Sequence, residues 1–125
     1  MKIIESIQYA TADQIVSWFQ KKDTVQVQPY LPWILFPIYV ASGDMTTSDK
    51  NDKAGKLYTV NISARLKEEV NIKELVIIKV NLCDGSSLII GTPDIPVDLN
   101  QSSTLYLSTL SISYTGINPP LKYTV

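Results

Sequence analysis

VIIKVNLCDGSSLIIG, residues 76 to 91, decides the fold. Val76, Ile78, Val80 and Leu82 share one face of an extended chain, while Lys79 and Asn81 share the other. Asp84-Gly85 then separates this run from a second apolar run, SSLIIG. An Asp-Gly pair between apolar runs is a strong hairpin signal, because a two-residue type I′ turn needs positive φ at both central positions. The stretch therefore predicts two antiparallel strands joined by a tight turn. Asp84, Asp94 and Asp98 lie in or just beyond it, but each has a structural reason to be there. Asp84 belongs to the hairpin, Asp94 follows Pro93 in a turn where an aspartate bonds its own backbone, and Asp98 stands near a strand end. A glycosidase-like carboxylate pair is thus the weaker reading.

The same period of two runs upstream. In LYTVNISARL, 57 to 66, Tyr58, Val60, Ile62, Ala64 and Leu66 alternate with Thr59, Asn61, Ser63 and Arg65, as in an antiparallel sheet with one buried and one wet face. KIIESIQY, 2 to 9, reads as a further strand. Downstream, Ile95-Pro96-Val97 is short and extended. In TLYLSTLSISY, 104 to 114, Leu105 and Leu107 are out of phase with Leu110, Ile112 and Tyr114, which predicts a bulge near Ser108-Thr109. LKYTV supplies a terminal strand.

Three segments break the pattern. In TADQIVSWFQKK, Thr11 and Gln14 match a capping box, Asp13 sits in the first turn, and Ile15, Trp18 and Phe19 fall at helical spacing. A short helix over 12–21 is expected, with a strand through IVSWF as the alternative. VQVQPYLPWILFPIYVA, 25 to 41, is the most apolar stretch, and Pro37 places 33–40 at a sheet edge or bulge because proline cannot donate to a ladder. SGDMTTSDKNDKAGK, 42 to 56, is polar and rich in loop formers, and reads as a long mobile loop. The sum is one domain over residues 1–125, mainly β, with about seven or eight short strands and at most one short helix. Such a pattern predicts an antiparallel β-sandwich or barrel.

Composition removes several functions. The chain has 125 residues, a net charge of −1, one cysteine and no histidine. The usual zinc sites and the Ser-His-Asp and Cys-His catalytic arrangements need residues that are not present. Cys83 cannot form an internal disulfide and has no basic neighbour in sequence to activate it. No cofactor or metal is expected. Asp44, Asp49, Asn51 and Asp52 offer oxygen ligands for calcium, but lysines interrupt them and EF-hand spacing is missing. The scattered basic residues do not make a nucleic-acid face. No run approaches the ~18 apolar residues of a membrane helix, so a soluble protein made in the cytoplasm is expected.

What remains is a non-enzymatic structural or assembly protein working through protein–protein contacts, with self-association. Only 18 % of residues are charged, below the usual quarter. Trp33 and Tyr39 flank the Pro37 edge and are the expected interface anchors, with Asp44, Lys50 and Lys53 from the loop reaching a neighbour. Ser and Thr at outward strand positions, such as Thr59, Ser63, Ser111 and Ser113, suit a flat packing face. The alternative is a small carbohydrate- or peptide-binding module using Trp33 and Tyr39 as a platform. The absence of histidine, the β patterning and the hairpin VIIKVNLCDGSSLIIGTPDIPV resemble small virion proteins of tailed phages and prophages, namely tail, neck and head–tail joining components. The resemblance covers mainly residues 57 to 115. It implies a ring or tube of many copies, in which loop 42–56 touches a neighbour.

Overall fold

The alternation read in residues 57–66 and 76–82 becomes the centre of two sheets. A computed structural model describes residues 4–21, 24–28, 31–39, 43–52, 55–68, 72, 75–92, 95–103, 108–116 and 119–124. Among them are eleven strands: β1 (Ile4–Thr11), β2 (Trp18–Gln20), β3 (Thr24–Val27), β4 (Ile34–Leu35), β5 (Asp44–Asp52), β6 (Gly55–Leu66), β7 (Val76–Leu82), β8 (Ser87–Ile90), β9 (Asp98–Ser103), β10 (Ser108–Gly116) and β11 (Leu121–Thr124). One sheet has the order β2-β3-β11-β8-β7-β1-β4 and the other β5-β6-β10-β9. The pairs are antiparallel except β3–β11, which run parallel with Val25 beside Tyr123.

The two sheets face each other as a sandwich. Ile7, Phe36, Val76, Ile78, Val80, Leu82 and Ile90 of the larger sheet meet Val60, Ile62, Ala64, Leu66, Leu110 and Ile112 of the smaller one in a single buried cluster. Phe36 packs its ring 4.6 Å from that of Tyr9. The runs Val76–Ile78 and Leu88–Ile90 are continuous because the middle of the larger sheet is covered on both faces. Ile77 and Ile89 point outward into a second buried cluster with Ala10, Val25, Leu31 and Leu121, and Ile15 and Trp33 pack against it.

Several expectations need correction. Residues 12–21 are not a helix. Ala12–Gln14 form one 3-10 turn, Thr11 makes no side-chain capping bond, and Trp18–Gln20 pairs with β3, close to the strand alternative. The cause is Gln28, buried 14 residues along the chain. Its amide nitrogen donates to the Gln14 carbonyl at 2.6 Å and its Oε1 accepts from the Ser17 N–H at 3.2 Å. A helix would have used both backbone groups internally.

Within 42–56, the described residues are not a long loop either. β5 pairs with β6 in unbroken register from Asp44↔Ser63 to Asp52↔Gly55. Met45 reaches the core, and the remaining polar side chains are those of an edge strand wet on its outer side. The strand count rises for the same reason at β9, whose DLNQSS sequence pairs with β10 from Asp98↔Ser113 to Ser103↔Ser108. Leu105 and Leu107 lie outside the described residues, and the bulge expected near Ser108-Thr109 is not there: β10 pairs with both β6 and β9 in unbroken register through these two residues.

The β7–β8 hairpin is present, with a different turn. Leu82 N–H donates to the Ser86 carbonyl at 2.9 Å and Gly85 N–H to the Leu82 carbonyl at 3.0 Å. This is a three-residue loop, Cys83–Gly85, with Gly85 at φ +92°, the bulged hairpin geometry and not the two-residue type I′ turn. Asp84 Oδ1 accepts from the Ser86 N–H at 2.9 Å and its hydroxyl at 2.6 Å, which confirms a structural job for this carboxylate.

Candidate functional site: the strand edges and what they expose

Pro37 lies where the chain passes from one sheet to the other. Before it, Phe36 N–H donates to the Ile7 carbonyl at 2.9 Å, and after it, Tyr39 N–H donates to the Arg65 carbonyl at 3.0 Å. Ile38 bridges Leu66. Among the described residues β4 therefore sits at the outer edge of the larger sheet, paired on one side only, with β1. Hydrogen-bonding directions alternate along a strand. With Phe36 bonded to β1, the N–H and C=O of Leu35 turn outward. The side chains here are apolar and exposed: Ile34 47 %, Leu35 58 % and Tyr39 51 %.

The other edges are protected. β5 carries Asp44, Asp49 and Lys50, and β9 carries Asp98 with amides and hydroxyls, the usual defence against edge-to-edge pairing. β2 exposes Phe19 at 57 %, but Lys21 lies 5.9 Å from its ring. By contrast, no charged residue occurs between Thr24 and Gly43. Sequence reading missed Ile34 and Leu35 because an apolar run reads as core. The available signal was that charge-free stretch punctuated by three prolines.

The expected anchors separate. Trp33 is no exposed anchor: it is partly buried against the second cluster. Its ring meets Tyr123 edge-on at 6.2 Å, and Lys79 Nζ lies 5.5 Å from Trp33 and 4.4 Å from Tyr123. Burial pushes the Lys79 amine below its ordinary value. Tyr39 stands beside β6, with Lys67 Nζ 5.8 Å from its ring. The two aromatics do not form one platform.

Asp44 and Lys50 both lie on β5, exposed, at opposite ends of its pairing with β6. Lys53 and Asp94 lie outside the described residues. The β5–β6 hairpin runs past the core. Pairing of β10 with β6 ends at Gly116↔Tyr58, and beyond it Lys50, Asn51, Gly55 and Lys56 are exposed. Asp49 and Lys56 form an ion pair at 2.8 Å, whose hydrogen bond and charge lower the carboxyl and raise the amine. It is fully solvated, and such pairs contribute little to stability.

Among the described residues no cluster of three or more metal-ligating side chains occurs, and no helix is long and apolar enough to cross a membrane. Asp84 and Asp98 are held apart, one in the β7–β8 loop and one at the start of β9. Compared with known proteins, the chain matches no protein-family model, no curated protein and no solved structure. The reading of its surface therefore rests on its own chemistry.

Proposed function

We propose that this chain is a non-enzymatic structural protein that works by protein–protein contact and associates with further copies of itself through the β4 edge. Its resemblance to small phage and prophage virion proteins suggests the setting. One observation carries the reading: β4 is an open strand edge with outward backbone groups, exposed Ile34 and Leu35 beside it, and no charge to repel a neighbour. A second strand laid along it would gain main-chain hydrogen bonds and cover apolar surface together. The projecting β5–β6 hairpin supplies reach toward a neighbouring copy. The carbohydrate- or peptide-platform alternative has lost its geometric support, since Trp33 is packed against the core and Tyr39 lies elsewhere.

The test is the solution mass of the purified chain across a concentration series, by sedimentation equilibrium. A defined oligomer whose population grows with concentration is expected. A monomer at every concentration up to the solubility limit would overturn the self-association.

A further inference from the structure

The outer face of the smaller sheet carries a concavity that the edge reading does not use. Register places side chains there in two adjacent cross-strand rows. One row is Asp44, Ser63, Ser111 and Asn100; the next is Thr46, Asn61, Ser113 and Asp98. The middle strands carry mostly serine, while the flanking strands carry longer side chains. The result is a trough of about 280 Å³, floored by the backbone of Ile62 and Ile112, whose side chains point into the core. Among the described residues none of these eight polar side chains has a hydrogen-bond or ion-pair partner in the protein.

We infer that this trough binds a neutral saccharide of one or two rings. Hydroxyls and amides both donate and accept, which matches sugar hydroxyls. Asp44 and Asp98 stand at diagonal corners, where a carboxylate accepts from adjacent hydroxyls and repels anions. No lysine or arginine stands in either row. With strands ~4.8 Å apart and same-face residues ~7 Å apart along a strand, the diagonal corners are too distant to share one cation. The trough is at the small end of ligand sites. It offers no aromatic ring for stacking, so affinity in the millimolar range is expected.

The probes are maltose, cellobiose and lactose, each titrated into the ¹⁵N-labelled chain and followed by amide chemical shifts, with sodium phosphate as the anionic control. At least one sugar should give saturable shifts at Asn61, Ser63, Ser111 and Ser113, while phosphate gives none there. Ser111→Leu, which fills the trough, should abolish them. Should Ser111→Leu fail to fold, Asn100→Ala removes a polar group without adding bulk and should weaken binding several-fold. Silence from all three sugars, or shifts unchanged in the folded variant, overturns the assignment. Because β4 belongs to the other sheet, Leu35→Lys should leave sugar binding unchanged, so this result and that on self-association are separable.

Discussion

Replacing Leu35 with lysine places a charge on the bare edge without touching the core. Fully burying a leucine or isoleucine stabilises by ~1.5–3 kcal/mol, so covering the roughly half-exposed Leu35 contributes about 1–1.5 kcal/mol. In a two-fold pairing of β4 with β4, each copy contributes once, and the substitution removes about 2–3 kcal/mol. That weakens the dissociation constant about 30- to 150-fold, before any repulsion between the two new lysines. The monomer should be indifferent: surface changes of this kind usually stay within ~0.5 kcal/mol, and the Leu35 side chain has no part in either buried cluster. Sedimentation equilibrium of parent and variant, with thermal melts of both, separates the outcomes. A folded Leu35→Lys chain that associates as tightly as the parent would refute β4 as the interface. A matching change on the protected edge, Ser102→Lys, should leave association unaltered.

Other consequences follow from the packing. Gly85 and Gly91 both have positive φ, +92° and +93°, but a Cβ at Gly85 meets nothing within 4 Å, whereas one at Gly91 comes 3.2 Å from Val97 Cγ1. Chemical denaturation should therefore show Gly85→Ala costing about 1–2 kcal/mol and Gly91→Ala more, about 2–4 kcal/mol. Equal losses would show that the Val97 contact is immaterial. Trp33→Ala should destabilise the monomer by about 2–4 kcal/mol, since the ring covers the second cluster; an unchanged melt would mean the ring is not packed there. Lys79 tests the burial of a charge. Its folded value lies below the ordinary 10.5, so the unfolded chain binds the extra proton between the two values, and stability rises with pH across that window. Thermal melts should show the parent gaining on Lys79→Met as pH climbs toward 10.5, and a constant difference would contradict the desolvation.

What was legible in the sequence is what one buried face imposes locally. β6 and the second half of β10 alternate because each has the core on one side and water on the other, β7 alternates only past Ile77, where Lys79 and Asn81 are no longer fully buried, and Pro37 marks its edge by lacking an N–H. β5 and β9 carry no such rhythm. Among the described residues Met45 and Leu99 are their only side chains packed against the core, and the strands exist because the adjoining strands β6 and β10 each offer a ladder in register. The helix over 12–21 failed for a related reason. Ile15, Trp18 and Phe19 have helical spacing, but Gln28 takes the backbone groups that a helix needs. Trp33 was expected at an exposed edge and is instead packed against the second cluster: sequence gives its apolar company, not which face of a seven-stranded sheet that company covers. The Ser and Thr positions on the outer face of the smaller sheet were legible from parity alone; the trough was not, because it depends on the register of four strands.

The bare β4 edge has a competing explanation in the fold itself. The chain must cross between sheets at Pro37, and Phe36 and Ile38 are buried on either side of the crossing, so that passage demands apolar residues. That demand does not extend to Ile34 and Leu35, which are about half exposed and contribute little to the core they adjoin. Polar residues would suit a two-residue edge strand better if solvent were its only neighbour, as the compositions of β5 and β9 illustrate within the same molecule. The crossing accounts for Phe36, Pro37 and Ile38; the two residues before them call for a partner. Leu35→Lys separates these causes, because a requirement of the crossing would appear in the melt of the monomer, and a requirement of a partner only in the mass of the assembly.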